Sequence, residues 1–448
     1  MNSAAATALA ESVSGAVVLP GDGDYEQVRN VFSHQGQPEL VVRCLSTSDV
    51  QQAVRFAREQ QLRISVRSGG HSNAGLSTDE GGIVIDLSLL NGIELLDSEN
   101  HLVRVGPGAT WSDVADRLQE HGLAFSSGDT TSVGVGGLLL GGGIGWLVRS
   151  SGLALDNVVA AEVVTADGRV LWASAEDNSD LFWALRGGGG NFGIVTSFEI
   201  TARPCGLVHF GSISYPATEA AQVVKGWARY LRTAPDELTS HVALFPSFGG
   251  DPAPVTLLVC YAGDDAAAAD AAIAPLLELG TVESKDVNLV PYPSVLEVPG
   301  ELPGDWQPTV RNRFVHTADD EFVDTLLDGA ASFGTLFVEL RSLGGAVGRV
   351  PAQATAFAHR DAELMVNTAK LGTREENLDA GAALTRFWES LAPYTRGAYS
   401  NFLSDLDADD LAAVYPPQTY ARLQTVKDTY DPENLFSRNV NVAPSNRD

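Results

Sequence analysis

Basic residues are scarce in this chain of 448: Lys and Arg number 29 against 57 Asp and Glu, a formal net charge of -28. A surface of that sign repels nucleic-acid phosphates and anionic membranes, so neither is an expected partner. Cysteine is scarcer still. Cys44, Cys205 and Cys260 are odd in number, widely spaced and without a Cys-x-x-Cys pair, which argues against a disulfide framework and against a zinc or other metal site. Free thiols in a reducing compartment are expected instead. No apolar run reaches transmembrane length. The alanine-rich stretch Met1 to Ser14 has no basic residue ahead of Glu11, unlike a secretory signal. These absences together lead to the expectation of a cytoplasmic protein. Also missing is Gly-x-x-x-x-Gly-Lys-Ser/Thr. Gly134, Gly136 and their neighbours can be matched to Gly-x-Gly-x-x-Gly, but no strand, glycine turn and helix with a ribose-binding acid opens the chain, so a Rossmann unit is excluded.

What is present supports a large core. Hydrophobic residues make up 44% of the chain, and its length suits two or three domains. Apolar runs and alternation predict strands at Val17–Leu19, Leu62–Val66, Ile83–Leu87, Leu102–Gly106 and Gly193–Ile200. Val158–Thr165 and Gly168–Ala173 read as a hairpin around Asp167-Gly168. Helices are predicted over Ser48–Gln60, with Ser48 as N-cap, and over Trp111–His121. The fold class is α+β. From about residue 206 the texture changes. Strands at His209–Tyr215, His241–Phe245 and Val255–Tyr261 alternate with helices at Thr218–Arg232 (N-cap Thr218), Ala266–Leu279 and Asp319–Ala331, the pattern of a sheet covered by helices. Asp405–Asp410 reads as a solvated loop or helix start.

Two glycine-rich stretches carry the chemical signal. Arg67-Ser68-Gly69-Gly70-His71-Ser72 follows a predicted strand, and its backbone N–H groups can cradle a phosphate or pyrophosphate. His71 is either a solvent-facing turn residue or a ligand contact. Gly134-Val135-Gly136-Gly137-Leu138-Leu139-Leu140-Gly141-Gly142-Gly143 is either a flexible surface loop or a cofactor cradle; its bulky leucines argue for burial. Further on stand Arg186-Gly187-Gly188-Gly189-Gly190-Asn191-Phe192-Gly193 with Val195, Tyr399-Ser400-Asn401, and Tyr430-Asp431-Pro432-Glu433-Asn434-Leu435-Phe436 with Asn439 and Asn441. In this order, the segments resemble the berberine-bridge-enzyme-like FAD oxidases of the vanillyl-alcohol-oxidase superfamily, over about Val18 to Pro444. The likeness is greatest to hydroxynicotine-oxidase-like and enterocin-pathway-like bacterial members.

The resemblance implies a two-subdomain FAD-binding unit at residues 1–205, a separate antiparallel-sheet substrate domain at 206–398, and a return to the FAD unit at 399–448. It implies FAD held covalently by a single link through His71, because Thr130 stands where many relatives carry a second, cysteine link in the segment matching Thr130-Thr131-Ser132-Val133-Gly134. The remaining cofactor contacts are carried over to Arg67, Ser68, Gly69, Gly70, Ser72, Thr131, Ser132, Gly136, Gly137, Gly141, Gly142, Gly193, Val195, Asn439 and Asn441. Val133 is either an oxygen gatekeeper or a core valine. Leu336 to Arg341 alternates, so Glu339 is either a general base raised by burial or a surface partner of Arg341. Tyr399 and Asn401 are placed at the flavin ring. His316 and His359 are structural. The implied activity is an FAD-dependent oxidase taking hydride from a natural-product-like or alkaloid-like alcohol or amine and reducing O2 to H2O2, in secondary metabolism. The alternatives are a flavin oxygenase or rearrangement enzyme and a flavin-binding protein without turnover. The partners implied are a small-molecule substrate and O2, acting on a monomer or homodimer.

Overall fold

The structure is a computed structural model describing residues 3–32, 34–300, 305–404 and 406–445. Its first sheet joins Ala16–Val18, Leu40–Arg43, Ile83–Asp86 and Ile64–Arg67 in that order. The outermost pair is antiparallel and the other two are parallel. Every residue of Ile83–Asp86 is buried, as a strand covered on both faces requires. The helix Thr47–Gln60 packs Val50, Ala53, Val54 and Ala57 into the same core. Its N-cap is Ser46, whose hydroxyl accepts the Asp49 N–H, and not Ser48. Asp49 is occupied elsewhere, accepting backbone N–H groups of Ser14, Gly15 and Leu45.

A second, antiparallel sheet has the order Ile93–Asp97, Leu102–Val105, Ile194–Thr201, Val158–Val164, Val170–Ser174. The helix Trp111–Gln119 packs into the same core and is closed at its start by reciprocal Thr110 and Asp113 bonds.

The third sheet is antiparallel throughout and eight-stranded: Ser284–Pro291, Leu207–Tyr215, Val255–Ala262, Leu238–Leu244, Leu336–Ser342, Leu364–Gly372, Gln307–Val315 and Thr395–Arg396. Alternation sends Val242, Leu336, Val338, Leu340 and Val366 into one core with the helices Ala220–Leu231, Ala266–Leu277, Asp320–Ala330 and Arg374–Leu391. Trp227 is fully buried there and its indole N–H donates to Ser240 Oγ at 2.8 Å. Thr218 does not cap the first of these helices. It lies in a 3-10 turn, Ala217–Glu219, that starts directly after Pro216.

After residue 398 the chain rejoins the second core through Leu403, Val414, Tyr415, Leu423, Val426, Val440 and Val442. Asp410 belongs to the first turn of the helix Ala408–Val414, capped by Asp407; Asp405 lies outside the described residues. The turn after the helix Pro417–Tyr430 is fixed by Asp431, fully buried, which pairs with Lys427 Nζ at 2.6 Å and accepts the Leu435 and Phe436 N–H groups. No described helix is long and apolar enough to cross a membrane.

Candidate active site

The two glycine-rich stretches meet. A Cβ on Gly69 would stand 2.3 Å from the Gly134 backbone nitrogen, so only glycine allows the turn after Ile64–Arg67 to cross the segment entering the helix Val135–Gly141. Above this crossing opens a cavity of about 440 Å³, within the range of small-molecule sites. Ser68, Gly69, Gly70, His71, Ser72, Val133, Gly136, Gly137, Gly141, Gly193, Val195, Tyr399, Asn401 and Asn439 all line it. A Cβ built on Gly137 meets nothing within 4 Å, so the cradle faces free space. Apolar side chains of both smaller sheets, Ile64, Val66, Ile194 and Val195, form further wall. A glycine cradle of this shape with apolar walls fits an FAD.

Five of the expected cofactor contacts fall outside that lining. Arg67 is buried, bonding Asp86 Oδ2 at 2.8 Å and the Val28 carbonyl, which makes it a brace of the first sheet. Thr131 is a clip: its N–H and hydroxyl both donate to the Glu297 carbonyl, at 3.0 and 3.1 Å. Ser132 turns to His71, with Oγ 2.9 Å from Nε2. Gly142, at φ +150°, passes beneath the ring of Tyr399, whose Cε2 a Cβ would meet at 2.9 Å. Asn441 is absent from the wall, and its Oδ1 is buried without a hydrogen-bond partner among the described residues. Asn191 ties this tail to the third glycine turn: its side chain accepts the Val442 N–H and donates to the Val440 carbonyl.

His71 stacks on Phe32, ring centroids 4.7 Å apart, and burial lowers its pKa, favouring the neutral imidazole. Tyr399 is buried, and its hydroxyl accepts the Gly143 N–H at 2.9 Å and the Asn401 Nδ2–H at 3.0 Å, leaving its own proton to donate. Burial pushes that phenol up to about 12. Asn312 holds the Tyr399 backbone, accepting its N–H at 2.7 Å and donating to its carbonyl at 2.9 Å.

Glu339 corrects the expectation attached to it. It pairs with Arg341, but neither is a surface residue: 6% and 7% of their area is exposed. Burial does push the Glu339 carboxyl up, yet Arg341 at 2.7 Å and His241 outweigh it and hold it at about 2. Glu339 is not part of the cavity wall. His241 Nδ1 lies 3.4 Å from Glu339 Oε1; burial keeps its imidazole pKa low, and Trp146 stacks on it at 4.2 Å. Arg341 also reaches Asp129 Oδ2 at 2.5 Å, and Asp129 does line the cavity.

The two acidic residues of the wall were not singled out in the sequence. Asp129 directly precedes the Thr130 segment, which was its only signal. Glu297 belongs to a stretch with no motif and reaches the site because residues 129–131 pair with its backbone: Thr130 bridges it, and its N–H donates to the Asp129 carbonyl at 2.7 Å. Partial burial raises the Glu297 carboxyl, helped by Asp129 and Glu339 and opposed by Arg341. His359 is buried, bonds the Val414 carbonyl and is lowered by burial to about 4. Neither it nor His316 lines the cavity.

Comparison with known proteins agrees with this geometry. Residues 38–174 match the family model described as FAD binding domain, and residues 398–443 match that described as berberine and berberine like. The chain is 33% identical to (R)-6-hydroxynicotine oxidase of Paenarthrobacter nicotinovorans over 99% of each chain. It is 32% identical to a xylooligosaccharide oxidase of Thermothelomyces thermophilus, covering 91% of this chain and 88% of that one. The crystal structure of 6-hydroxy-D-nicotine oxidase from Arthrobacter nicotinovorans superposes with a TM-score of 0.87 at 31% identity, over 97% of this chain and 99% of that one. Fold, cradle and likeness over the full length agree: the chain belongs to the berberine-bridge-enzyme-like FAD-linked oxidases of the vanillyl-alcohol-oxidase superfamily and is an FAD-dependent oxidoreductase.

Proposed function

We propose that the protein is an oxidase of a small-molecule amine or alcohol, carrying FAD on a single covalent link through His71. The observation that carries this reading is one cavity that brings His71, the Tyr399–Asn401 pair and two carboxyl groups, Asp129 and Glu297, to a common wall. When bound, FAD accepts hydride from a substrate carbon and passes the electrons to O2, giving H2O2. In this reading residues 1–205 and 399–448 hold the cofactor and residues 206–398 hold substrate. Ser68 to Ser72 and the glycines of the cradle bind the cofactor through backbone, and Asn439 supplies a side-chain amide.

Asp129, Glu297 and Glu339 gather around a single guanidinium, Arg341, while the arginine of the wall itself, Arg438, is engaged by the Gly75 and Thr78 carbonyls. That balance favours an amine, as does the name of the hydroxynicotine-oxidising relative. Glu297 takes the substrate proton, since a raised carboxyl that lines the cavity is suited to accept one. Glu339 acts by position. It holds Arg341, which holds Asp129. Tyr399 donates its free hydroxyl proton to the bound molecule, and Asn401 sets its direction. Val133 leaves room for O2 beside the cofactor while packing against the core.

Two measurements test this. Acid-precipitated protein is expected to stay yellow, and a His71→Ala variant to release its flavin. Anaerobic addition of candidate secondary and tertiary amines is expected to bleach the flavin, with near-stoichiometric H2O2 once air is admitted. Bleaching by alcohols or sugars alone would refute the amine assignment, and little peroxide would favour an oxygenase.

A further inference from the structure

His71 lines the cavity described above, but it also lines a second, polar depression that shares the glycine turn, together with Ser132, Arg67 and Asp86. Ser132 belongs only to that second depression. The 2.9 Å contact from Ser132 Oγ to His71 Nε2 therefore ties one ring nitrogen to a residue of the second depression that does not line the first cavity. Nδ1 has no hydrogen-bond partner among the described residues. The ring plane is fixed as well, by Phe32 stacked at 19° to it. Ser132 is itself held on both sides. The Thr131 and Val133 carbonyls accept the Ser112 and Trp111 N–H groups, each at 3.0 Å.

We propose that Ser132 is a positioning residue for flavin attachment. By accepting the Nε2–H of His71 it selects the tautomer whose lone pair is on Nδ1, and the covalent bond forms there. This rests on the reading that His71 carries the flavin. A neutral imidazole exists as two tautomers, and only the nitrogen without a proton is a nucleophile. A hydrogen bond to the other nitrogen decides which one that is.

Attachment breaks a C–H bond of the 8α-methyl and forms an Nδ1–C bond. The imidazole proton leaves from Nε2 through the exposed Ser132 hydroxyl. The broken C–H bond leaves two electrons and one proton on the cofactor; O2 takes these, together with the proton released through Ser132, and becomes H2O2.

The full-length protein is harvested at intervals after induction of its expression, and acid precipitation separates covalent from released flavin. Ser132→Val and Ser132→Thr have the same shape and differ in the hydroxyl. The valine variant is expected to attach flavin about tenfold more slowly, the scale of one lost hydrogen bond, while total flavin per chain is unchanged. The threonine variant is expected to match wild type. Ser132→Ala gives the same comparison should the valine variant fail to accumulate. NMR of the flavin peptide is expected to show attachment at Nδ1 in wild type and a mixture of nitrogens in the valine variant. Attachment at wild-type rate and only at Nδ1 without the hydroxyl overturns the role of Ser132 alone. Wild-type flavin that washes out in acid overturns the His71 reading, and this proposal with it.

Discussion

The cavity has two walls of different origin. The glycine wall is made by short local stretches, Ser68 to Ser72 and Gly134 to Gly141, whose glycines are set by the close crossing at Gly69 and Gly134. The opposite wall, at Asp129 and Tyr399, is held from behind by a polar row running across four adjacent strands, none of whose members lines the cavity. Glu339 pairs in register with Asn367, and Asn367 with Asn312, while Arg341 lies opposite His241. One wall depends on what the backbone may do, and the other on which side chains the sheet happens to bring side by side. Where function rests on backbone, residue type announces it. Where it rests on register, the same residue can be a base, a brace or a surface charge.

The largest effect is expected where the two walls share protons. Glu297→Gln should slow flavin reduction by at least about a hundredfold and remove an ionisation from the pH profile of that half-reaction. Glu339→Gln in the same stopped-flow assay should keep that ionisation. Its effect belongs to stability instead. The folded carboxyl is held at about 2, below its ordinary value of 4.5, so its contribution is complete above pH 4.5 and lost as the pH falls toward 2. Acid-unfolding curves of the glutamine variant should lack that part of the dependence. If Glu339→Gln abolishes the ionisation and Glu297→Gln does not, the roles are reversed.

A buried ion pair outside the cavity lining comes next. Arg360 binds Asp156 through two bonds of 2.7 Å, both side chains at most 10% exposed. Arg360→Met leaves a buried carboxylate unpaired and should cost about 3–5 kcal/mol in urea unfolding; replacing both partners with apolar residues should recover much of it. A loss under about 1 kcal/mol would mean that Asp156 finds water or another donor.

Val133 tests the glycine wall. Val133→Leu should slow reoxidation by O2 about tenfold, roughly 1.4 kcal/mol of barrier, and leave reduction nearly unchanged. Equal slowing of both would make Val133 a packing residue only. The smallest effect is local: Ser46→Ala should lower stability by about 1 kcal/mol through loss of the Asp49 N–H bond, whereas Ser48→Ala should change thermal unfolding by much less.

Local residue patterns settled the class of the molecule. Alternation and apolar runs marked the strands. Glycine at 69, 70, 134, 136 and 137 announced a backbone laid against a ligand. These are short-range signals, because dihedral limits and side-chain periodicity act within a few residues. They misplaced two caps, where a neighbour intervened: Asp49 was already engaged by the N-terminal segment, and Pro216 started a turn ahead of Thr218. The protonation state of Glu339 was beyond reach from sequence. Burial and ion pairing act on a carboxyl with opposite signs, and their balance depends on the distances to Arg341 and His241. Glu297 was equally hidden, its backbone joined to residues 129–131 by hydrogen bonds across more than 160 residues of chain. Local pattern determined the α+β class and a glycine cradle, and the family resemblance carried by those segments identified the chain as an FAD-dependent oxidoreductase. Tertiary structure alone decided which charges meet in its cavity, because the energy of a charge is set by what surrounds it in space and not by what precedes it in the chain.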